Sequence, residues 1–249
     1  MNPQIKTILD VLVEQLDQKI KGIYLCGSAV LGGLKVNSDL DFLVVVSSSL
    51  ESSQREQLIK SILPHSRKIG ENSDLRYVEV TIVTESSLKH WNHPTWMDLI
   101  YGEWLRDAYL DGYVPQSEIN PDLTIQLYQA RQHCDTLWGD NPLDFWLPDL
   151  PFTDVEKAIL DSLEELVSGA KGDEINCILT LCRMIDTLES KQIHSKAVSG
   201  IKAVEKFPEY QDIILEAVKT YEQGIEPKIN EDDYREVIKN LHRHILRSK

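Results

Sequence analysis

The 249-residue sequence has no long apolar run. A membrane-spanning helix needs roughly 20 consecutive apolar residues, and no stretch of this chain approaches that length. Residues 1–16 are amphipathic and partly acidic, which is unlike the charged-then-apolar pattern of a signal peptide. We therefore expect a cytoplasmic protein without a membrane partner.

Cysteine pairs with metal-binding or disulfide spacing are also missing. The four cysteines, Cys26, Cys134, Cys177 and Cys182, form no CxxC pair and lie in apolar segments. This spacing argues against a zinc site and against a disulfide framework. We interpret all four as small hydrophobic core residues.

Basic residues are scarce, with 26 Lys and Arg against 40 Asp and Glu, so the formal net charge is −14. Proteins that bind nucleic acid need a basic surface to contact phosphates, and this composition argues against such a partner. A cationic small molecule fits the charge better. Acidic surfaces also serve solubility alone, so charge by itself discriminates weakly.

Local patterns in the first third of the chain predict a mixed α/β sheet. Apolar residues at helical spacing predict helices over residues 4–18 and 51–63, and short β-branched runs predict strands at 22–26, 42–46 and 77–83. A helix between the second and third strands is typical of an α/β arrangement.

After residue 83 the pattern predicts only helices. They are expected at 95–111, 121–138, 153–169, 173–190, 195–206, 208–223 and 231–247. Prolines 142, 148 and 151 interrupt this series, and such a cluster favours a linker near 140–152. We therefore expect an α/β domain at 1–150 and a helical domain at 151–249.

The residues that carry chemistry begin where the first predicted strand ends. Gly27 lets backbone N–H groups approach a phosphate, and the hydroxyl of Ser28 adds another donor. Ten residues after Ser28, Ser38 precedes Asp39 and Asp41 at the mouth of the next strand, and the two-residue period sends both carboxylates to one face. Mg²⁺ held between carboxylates and nucleotide phosphates would satisfy this pair.

Glu79 adds a third acid, inside the apolar run 77–83. A carboxylate in a core strand usually needs a partner or a task. If the third strand lies beside the second, Glu79 faces Asp39 and Asp41, either as a metal ligand or as the general base for an incoming hydroxyl. Each feature alone has a simpler explanation, a solvated strand edge, but their combination favours the metal site.

The pattern of Gly27, Ser28, Asp39, Asp41 and Glu79 resembles the nucleotidyltransferase superfamily typified by DNA polymerase beta. The longer stretches 24–41, 78–81 and 101–106 resemble the aminoglycoside (3'')(9) adenylyltransferases, and the similarity continues at 171–174, 178–183 and 195–196. The resemblance implies an α/β nucleotidyltransferase domain (DNA polymerase beta-like) with a mixed sheet, followed by an all-helical C-terminal domain. It also implies ATP and two Mg²⁺ ions in the cleft between them.

The same resemblance implies a role for each matching residue. Asp39 and Asp41 would bind Mg²⁺, and Glu79 would deprotonate the acceptor hydroxyl. The residues that would contact ATP are Ser28, Ser38, Asp122, Arg183, Lys196 and Tyr221. Trp104 and Asp173 would bind the drug, since an aromatic face packs on a sugar or cyclitol ring and an acid pairs with an ammonium.

Five of these positions have a simpler structural interpretation. Arg183 and Lys196, taken alone, are typical surface residues, and Trp104 is typical of a core. Asp122 and Asp173 each precede a helical pattern, so either could serve as an N-cap.

One segment departs from the family. Members that accept both streptomycin and spectinomycin carry Trp and Asp shortly before the Gly-Asp-Glu segment, where this chain has Glu164 and Gly169. The chain therefore resembles the spectinomycin-specific branch. The stretch 168–172 also predicts a break in the helix, so the carboxylate of Glu164 need not face the drug.

The expected function is Mg²⁺-dependent transfer of AMP from ATP to a hydroxyl of an aminoglycoside-type antibiotic, with spectinomycin favoured and resistance as the outcome. We expect a monomer that binds ATP first. One alternative is a nucleotidyltransferase that modifies a protein side chain or another metabolite. The other is a non-catalytic relative that serves as an interaction module, against which the intact Asp39, Asp41 and Glu79 argue.

Overall fold

The computed structural model describes residues 2–36, 38–71, 73–225 and 231–247, and the chain divides into two units. The first unit comprises Met1–Leu34 and Ser38–Leu150, and the second comprises Lys35–Asn37 and Pro151–Lys249.

A five-stranded mixed sheet forms the centre of the first unit. In chain order the strands are β1 (Ile20–Leu25), β2 (Leu40–Val46), β3 (Val78–Thr84), β4 (Thr95–Met97), β5 (Leu99–Tyr101), β6 (Glu118–Asn120) and β7 (Asp135–Trp138). The sheet order is β5-β3-β2-β1-β7, and a separate two-stranded ladder pairs β4 with β6. Among the strands of the described residues only β2 and β3 run parallel to each other, which confirms the predicted mixed sheet.

Both faces of this sheet are buried. Ile23 and Val44 point to one face, where they pack against the helices α1 (Pro3–Leu16) and α2 (Ser52–Ile62). Tyr24, Leu43 and Val45 point to the opposite face. The side chains alternate because successive strand residues point to opposite faces. The remaining helices of this unit are α3 (Glu85–Lys89), α4 (Arg106–Leu110) and α5 (Asp122–Gln132), and α5 packs on the second face.

The helix predicted over 95–111 is wrong. That stretch contains β4, β5, a 3₁₀ turn and the five-residue helix α4. The helix predicted over 121–138 ends at Gln132 and is followed by β7. Strands of three or four residues are too short to establish a two-residue period, and β7 is an edge strand in which three of the four residues are exposed.

Five long helices form the second unit. They are α6 (Phe152–Ser168), α7 (Glu174–Ser190), α8 (Lys196–Lys206), α9 (Gln211–Gln223) and α10 (Glu231–Arg247), and each was predicted within a few residues. Helix α7 is central, because it packs against the other four and buries residues from Cys177 to Thr187. Among the described residues, no helix is long and apolar enough to cross a membrane.

A buried ion pair joins α2 to the turn between β4 and β5. Arg55 Nη2 lies 2.8 Å from Asp98 Oδ1, and each side chain is only 3% exposed. Asp98 also accepts hydrogen bonds from the Ser117 hydroxyl (2.8 Å), the Leu50 N–H (3.1 Å) and the Ser49 hydroxyl. Burial alone would raise the pKa of Asp98, but these hydrogen bonds and the Arg55 charge outweigh it and lower the pKa below its ordinary value.

The four cysteines are free thiols, and Cys26, Cys177 and Cys182 are buried. Burial raises the pKa of Cys134 to about 11 and the pKa of Cys177 and Cys182 to about 12. These thiols therefore stay protonated near neutral pH and are poor nucleophiles. Their interpretation as core residues is confirmed for the three that are buried, whereas Cys134 is only partly covered.

Candidate active site

Three carboxylates converge at one end of the two parallel strands. The register pairs Asp41 of β2 directly with Glu79 of β3, and Asp39 is the residue directly before β2. One oxygen from each of the three residues lies within 4.8 Å of the others. All three residues are half-buried. The sequence-based expectation that Glu79 faces the two aspartates is therefore confirmed.

This set of acids fits Mg²⁺. Carboxylate oxygens are hard ligands, and oxygens about 2.1 Å from one Mg²⁺ lie up to about 4.2 Å apart, within the 4.8 Å limit that holds for the three carboxylate oxygens. Three half-buried carboxylates would repel one another without a compensating cation. Among the described residues this is the one cluster of three or more potential metal ligands.

Gly27 makes the close approach of Asp41 possible. Its φ of +62° lies in the left-handed region, which favours glycine, and a Cβ at this position would overlap the carboxylate of Asp41. The neighbouring N–H of Cys26 donates to the Asp41 carbonyl at 2.9 Å, which fixes the turn against β2. The glycine is therefore required both by the backbone and by the space.

Ser28 lies in the 3₁₀ turn Gly27–Ala29 that follows β1. Its Oγ is buried and has no hydrogen-bond partner among the described residues. A buried hydroxyl without a partner costs free energy, which a phosphate oxygen accepting its proton would offset. The geometry is therefore suited to the phosphate contact expected for Ser28.

Ser38 is 6% exposed and directly precedes Asp39. Its carbonyl accepts a hydrogen bond from Arg76 Nη1 at 3.0 Å, so a side chain near the start of β3 fixes the backbone in front of the acid cluster. Arg76 was not identified from the sequence, because its partner is a backbone carbonyl 38 residues away.

Helix α5 contributes to the surroundings of Glu79. Gln126 Nε2 donates to Glu79 Oε1 at 3.4 Å, and Gln126 Oε1 accepts from the Thr81 hydroxyl at 3.4 Å. Asp122 lies four residues before Gln126 and is therefore on the same helix face, one turn away. Gln126 was also missed, since the sequence does not show which face of α5 is turned toward the sheet.

The N-cap interpretation of Asp122 is wrong. Asp122 is the first residue of α5 and Pro121 occupies the cap position. The side chain of Asn120 supplies the capping acceptor, since its Oδ1 accepts from the Leu123 N–H at 3.3 Å. The Asp122 side chain is exposed in the first turn, where the helix dipole favours an acid.

The core interpretation of Trp104 is also wrong, because the residue is 56% exposed. It lies in the 3₁₀ turn Glu103–Leu105 directly after β5. Its exposure agrees with the expected contact with a substrate ring.

Three of the residues expected to bind ligand in the second unit form one cluster. Asp173 Oδ2 accepts from Asn176 Nδ2 at 2.8 Å, and Asn176 Oδ1 accepts from the ammonium of Lys196. The same ammonium lies 6.0 Å from the centre of the Tyr221 ring. Asn176 therefore connects an acid expected on the drug side with a cation expected on the ATP side.

Asp173 occupies the N-cap position of α7, as the simpler interpretation of this residue predicts, but its side chain makes no capping hydrogen bond. The carboxylate instead pairs with Asn176. Arg183 is half-buried and lies seven residues after Asn176, two turns along the same face of α7. Asn176 was missed in the sequence, although its spacing of three residues from Asp173 was a usable signal.

The predicted break before α7 is confirmed. Helix α6 ends at Ser168 with Gly169 as its C-cap, and α7 starts at Glu174. The Glu164 side chain is 77% exposed, and its Oε1 lies 2.9 Å from Nε2 of His242 on α10.

The chain is similar to known nucleotidyltransferases in two stretches. The family model of the nucleotidyltransferase domain matches residues 5–104, and that of the aminoglycoside adenylyltransferase C-terminal domain matches residues 146–248. A spectinomycin 9-adenylyltransferase of Enterococcus faecalis is 48% identical over 219 residues, which is 88% of this chain and 86% of the relative. An aminoglycoside (3'') (9) adenylyltransferase of Klebsiella pneumoniae is 36% identical over 224 residues, covering 89% and 85% of the two chains.

A solved structure is similar over nearly the whole chain. It is a spectinomycin adenyltransferase of Enterococcus, crystallised with ATP and spectinomycin. The two chains superpose with a TM-score of 0.94 and are 44% identical, and the alignment covers 98% of each.

Proposed function

The chain belongs to the aminoglycoside adenylyltransferase family, and from this premise we propose that it transfers AMP from ATP to a hydroxyl of spectinomycin and so confers resistance. The spectinomycin 9-adenylyltransferase of Enterococcus faecalis is 48% identical to this chain, whereas the aminoglycoside (3'') (9) adenylyltransferase of Klebsiella pneumoniae is 36% identical.

One observation carries this proposal, namely the acid cluster beside the turn that holds Ser28. Asp39, Asp41 and Glu79 offer three oxygens within 4.8 Å of one another, and the buried Oγ of Ser28 needs an acceptor. Carboxylates that hold Mg²⁺ next to hydrogen-bond donors for phosphate oxygens are suited to binding a nucleoside triphosphate. An interaction module without catalysis would not need this combination.

We assign Asp39 and Asp41 to Mg²⁺ and propose that two ions bind. Bound Mg²⁺ would neutralise charge on the phosphates and stabilise the charge that develops on the leaving pyrophosphate. We also assign Ser28 and Ser38 to the ATP phosphates. Asp122, Arg183, Lys196 and Tyr221 are assigned to other contacts with ATP.

Glu79 acts as the base in this proposal. The drug hydroxyl attacks the α-phosphorus of ATP, the bond to pyrophosphate breaks, and the hydroxyl proton passes to the Glu79 carboxylate. Gln126 donates to Oε1 of Glu79, which limits the orientations that the carboxylate can adopt. Trp104 provides an apolar surface for the drug ring, and Asp173 pairs with a cationic group.

The test is direct. The purified protein is incubated with ATP, Mg²⁺ and spectinomycin, and mass spectrometry is used to look for the drug with one added AMP, together with released pyrophosphate. Omitting Mg²⁺ and replacing Asp41 by Asn provide the controls. ATP binding without any AMP–drug product at saturating spectinomycin would show that the acceptor is a different molecule.

A further inference from the structure

At position 102 only glycine leaves room for the Trp104 ring. The φ of −147° and ψ of 145° of Gly102 are open to any residue, so the backbone does not require glycine here. A Cβ at Gly102 would overlap three consecutive atoms, Cζ2, Cη2 and Cζ3, of the Trp104 ring at nearly equal distances. A point in the ring plane would be much nearer to the middle atom than to its neighbours. The face of the indole therefore lies against the Gly102 backbone.

This contact lies next to Glu79. Strands β3 and β5 are antiparallel and pair Val80 with Tyr101, so one further step along the register places Gly102 opposite Glu79. Directly opposed residues on neighbouring strands point to the same face of a sheet. A side chain at position 102 would therefore point to the sheet face that carries the Glu79 and Asp41 side chains. The Trp104 indole fills the space that this side chain would take.

Hydrogen bonds fix the backbone on which the indole packs. The Gly102 N–H donates to the Tyr109 hydroxyl at 3.2 Å, and that hydroxyl donates to the Ile100 carbonyl at 3.3 Å. Burial raises the pKa of Tyr109 to about 12, so the phenol keeps the proton that it donates. The next residue, Glu103, is buried and accepts a hydrogen bond from the Ser66 hydroxyl at 2.6 Å. One indole face is thus fixed on the backbone, while the side chain as a whole is 56% exposed.

We propose that Gly102 is a specificity-determining positioning residue. Because Gly102 has no side chain, the Trp104 indole packs directly on its backbone, and in this position the indole contacts the ring of the acceptor beside Glu79. The ligand class is a saturated, hydroxyl-bearing ring with cationic substituents, because such a ring can lay its C–H bonds and positive charge on an aromatic face. This inference rests on the proposed function and concerns how the acceptor hydroxyl is presented to Glu79.

The test is a double-mutant cycle on Gly102→Ala and Trp104→Ala. Gly102→Ala lifts the indole, so KM for spectinomycin should rise on the order of tenfold while the dissociation constant for Mg²⁺-ATP stays within about twofold. In the Trp104→Ala background the added methyl has no ring to displace. The double variant should therefore match Trp104→Ala in KM, kcat and melting temperature.

Each other outcome has one meaning. If the wild type does not adenylylate spectinomycin, the proposed function fails. If the wild type is active and Gly102→Ala has an unchanged KM, or if the two substitutions add independently, the positioning role is wrong. If Gly102→Ala alone does not fold, the double variant should recover the melting temperature of Trp104→Ala, and failure to recover would show that Gly102 packs against a different group.

Discussion

Asp41 is held by neighbours on three sides. Its backbone carbonyl accepts from Cys26, its side chain lies against the α-carbon of Gly27, and Glu79 faces it across the β2–β3 ladder. A carboxylate placed this closely beside two other acids is unfavourable for folding and is explained by cation binding.

We expect Asp39→Asn and Asp41→Asn each to abolish AMP transfer, because each removes one ligand from Mg²⁺. The melting temperature should stay unchanged or rise slightly, since repulsion among the three acids is relieved. Turnover and thermal melting are measured on the same preparations. Asp10→Asn, in an exposed pair with Lys6, is the control and should keep full activity. Wild-type turnover in either site variant would contradict the metal assignment.

Glu79→Gln keeps the size of the side chain and removes its ability to take a proton. We expect the rate of transfer to fall on the order of 10² to 10⁴-fold, with affinity for Mg²⁺-ATP within a few-fold of the wild type. Single-turnover kinetics and calorimetry measure the two quantities separately. Loss of Mg²⁺-ATP binding would instead identify Glu79 as a metal ligand.

Ser28→Ala removes a buried hydroxyl that has no partner among the described residues. We expect the free energy of unfolding without ligand to stay the same or to increase, because an unpaired buried hydroxyl is unfavourable. Affinity for ATP should fall by an amount equivalent to one hydrogen bond to a charged group, about 1.5 to 3 kcal/mol. Denaturant melts and calorimetry test this pair of opposite effects, and a loss of stability with unchanged ATP affinity would assign Ser28 a purely structural role.

At the level of elements, the length of a helix or strand determined whether the sequence could predict it. The five helices of the second unit have 11 to 17 residues, enough turns for apolar residues to repeat on one face. Strands β4 and β5 have three residues each and alternate too briefly to be distinguished from a helix. Length therefore explains why the wrong predictions fall between β3 and α6.

The part of the site that could be predicted consists of residues whose relative position follows from the strand itself. The two-residue period of a strand puts Asp39 and Asp41 on one face in any fold that forms the strand. The contact of Lys196 with Asn176 instead depends on how α8 packs against α7, and the contact of Gly102 with Trp104 depends on how the chain turns after β5. Such contacts have no short-range pattern in the sequence.

The ion pair between α2 and the β4–β5 turn should determine part of the acid sensitivity of the first unit. The pKa of Asp98 is lowered from its ordinary 3.8, so its contribution to stability is present above that value and is lost as the pH falls through the lowered pKa of the folded state. Asp98→Asn leaves the Arg55 charge buried without a counter-ion and should cost about 3 to 5 kcal/mol at neutral pH.

Denaturant unfolding of wild type and Asp98→Asn at a series of pH values measures this effect. The difference in unfolding free energy should be largest near neutral pH and should shrink below pH 3.8. Asp149→Asn is a matched control, since the Asp149 side chain is 95% exposed in its pair with Arg131 and should have little effect. A wild-type–variant difference that stays constant down to acid pH would show that the pKa of Asp98 is the same in the folded and the unfolded protein.

For the whole molecule, the net charge of −14 suits a cationic substrate. An acidic protein raises the local concentration of a cation and speeds its encounter with the surface, an effect that salt screens. Binding of Mg²⁺-ATP changes the charge of the acid cluster, which is why we expect ATP to bind before the drug.

We expect drug choice to depend on two positions before α7. Glu164 and Gly169 stand where relatives that also accept streptomycin are expected to carry Trp and Asp. Gly169 has no side chain and serves as the C-cap of α6. Glu164 could in principle replace the missing acid, but its carboxylate is paired with His242 of α10. Neither position therefore supplies an aromatic surface, and position 169 supplies no carboxylate.

Cells that express this protein should survive spectinomycin and remain sensitive to streptomycin. Streptomycin is larger and carries two guanidinium groups, so it needs an aromatic surface and an extra acid that spectinomycin does not. The loss of one well-placed charged contact costs about 2 to 5 kcal/mol, enough to remove useful affinity. Minimal inhibitory concentrations of both drugs are compared with cells expressing Glu79→Gln, which should be sensitive to both. Glu164→Ala should retain spectinomycin resistance, and comparable protection by the wild type against the two drugs would show that positions 164 and 169 do not control specificity.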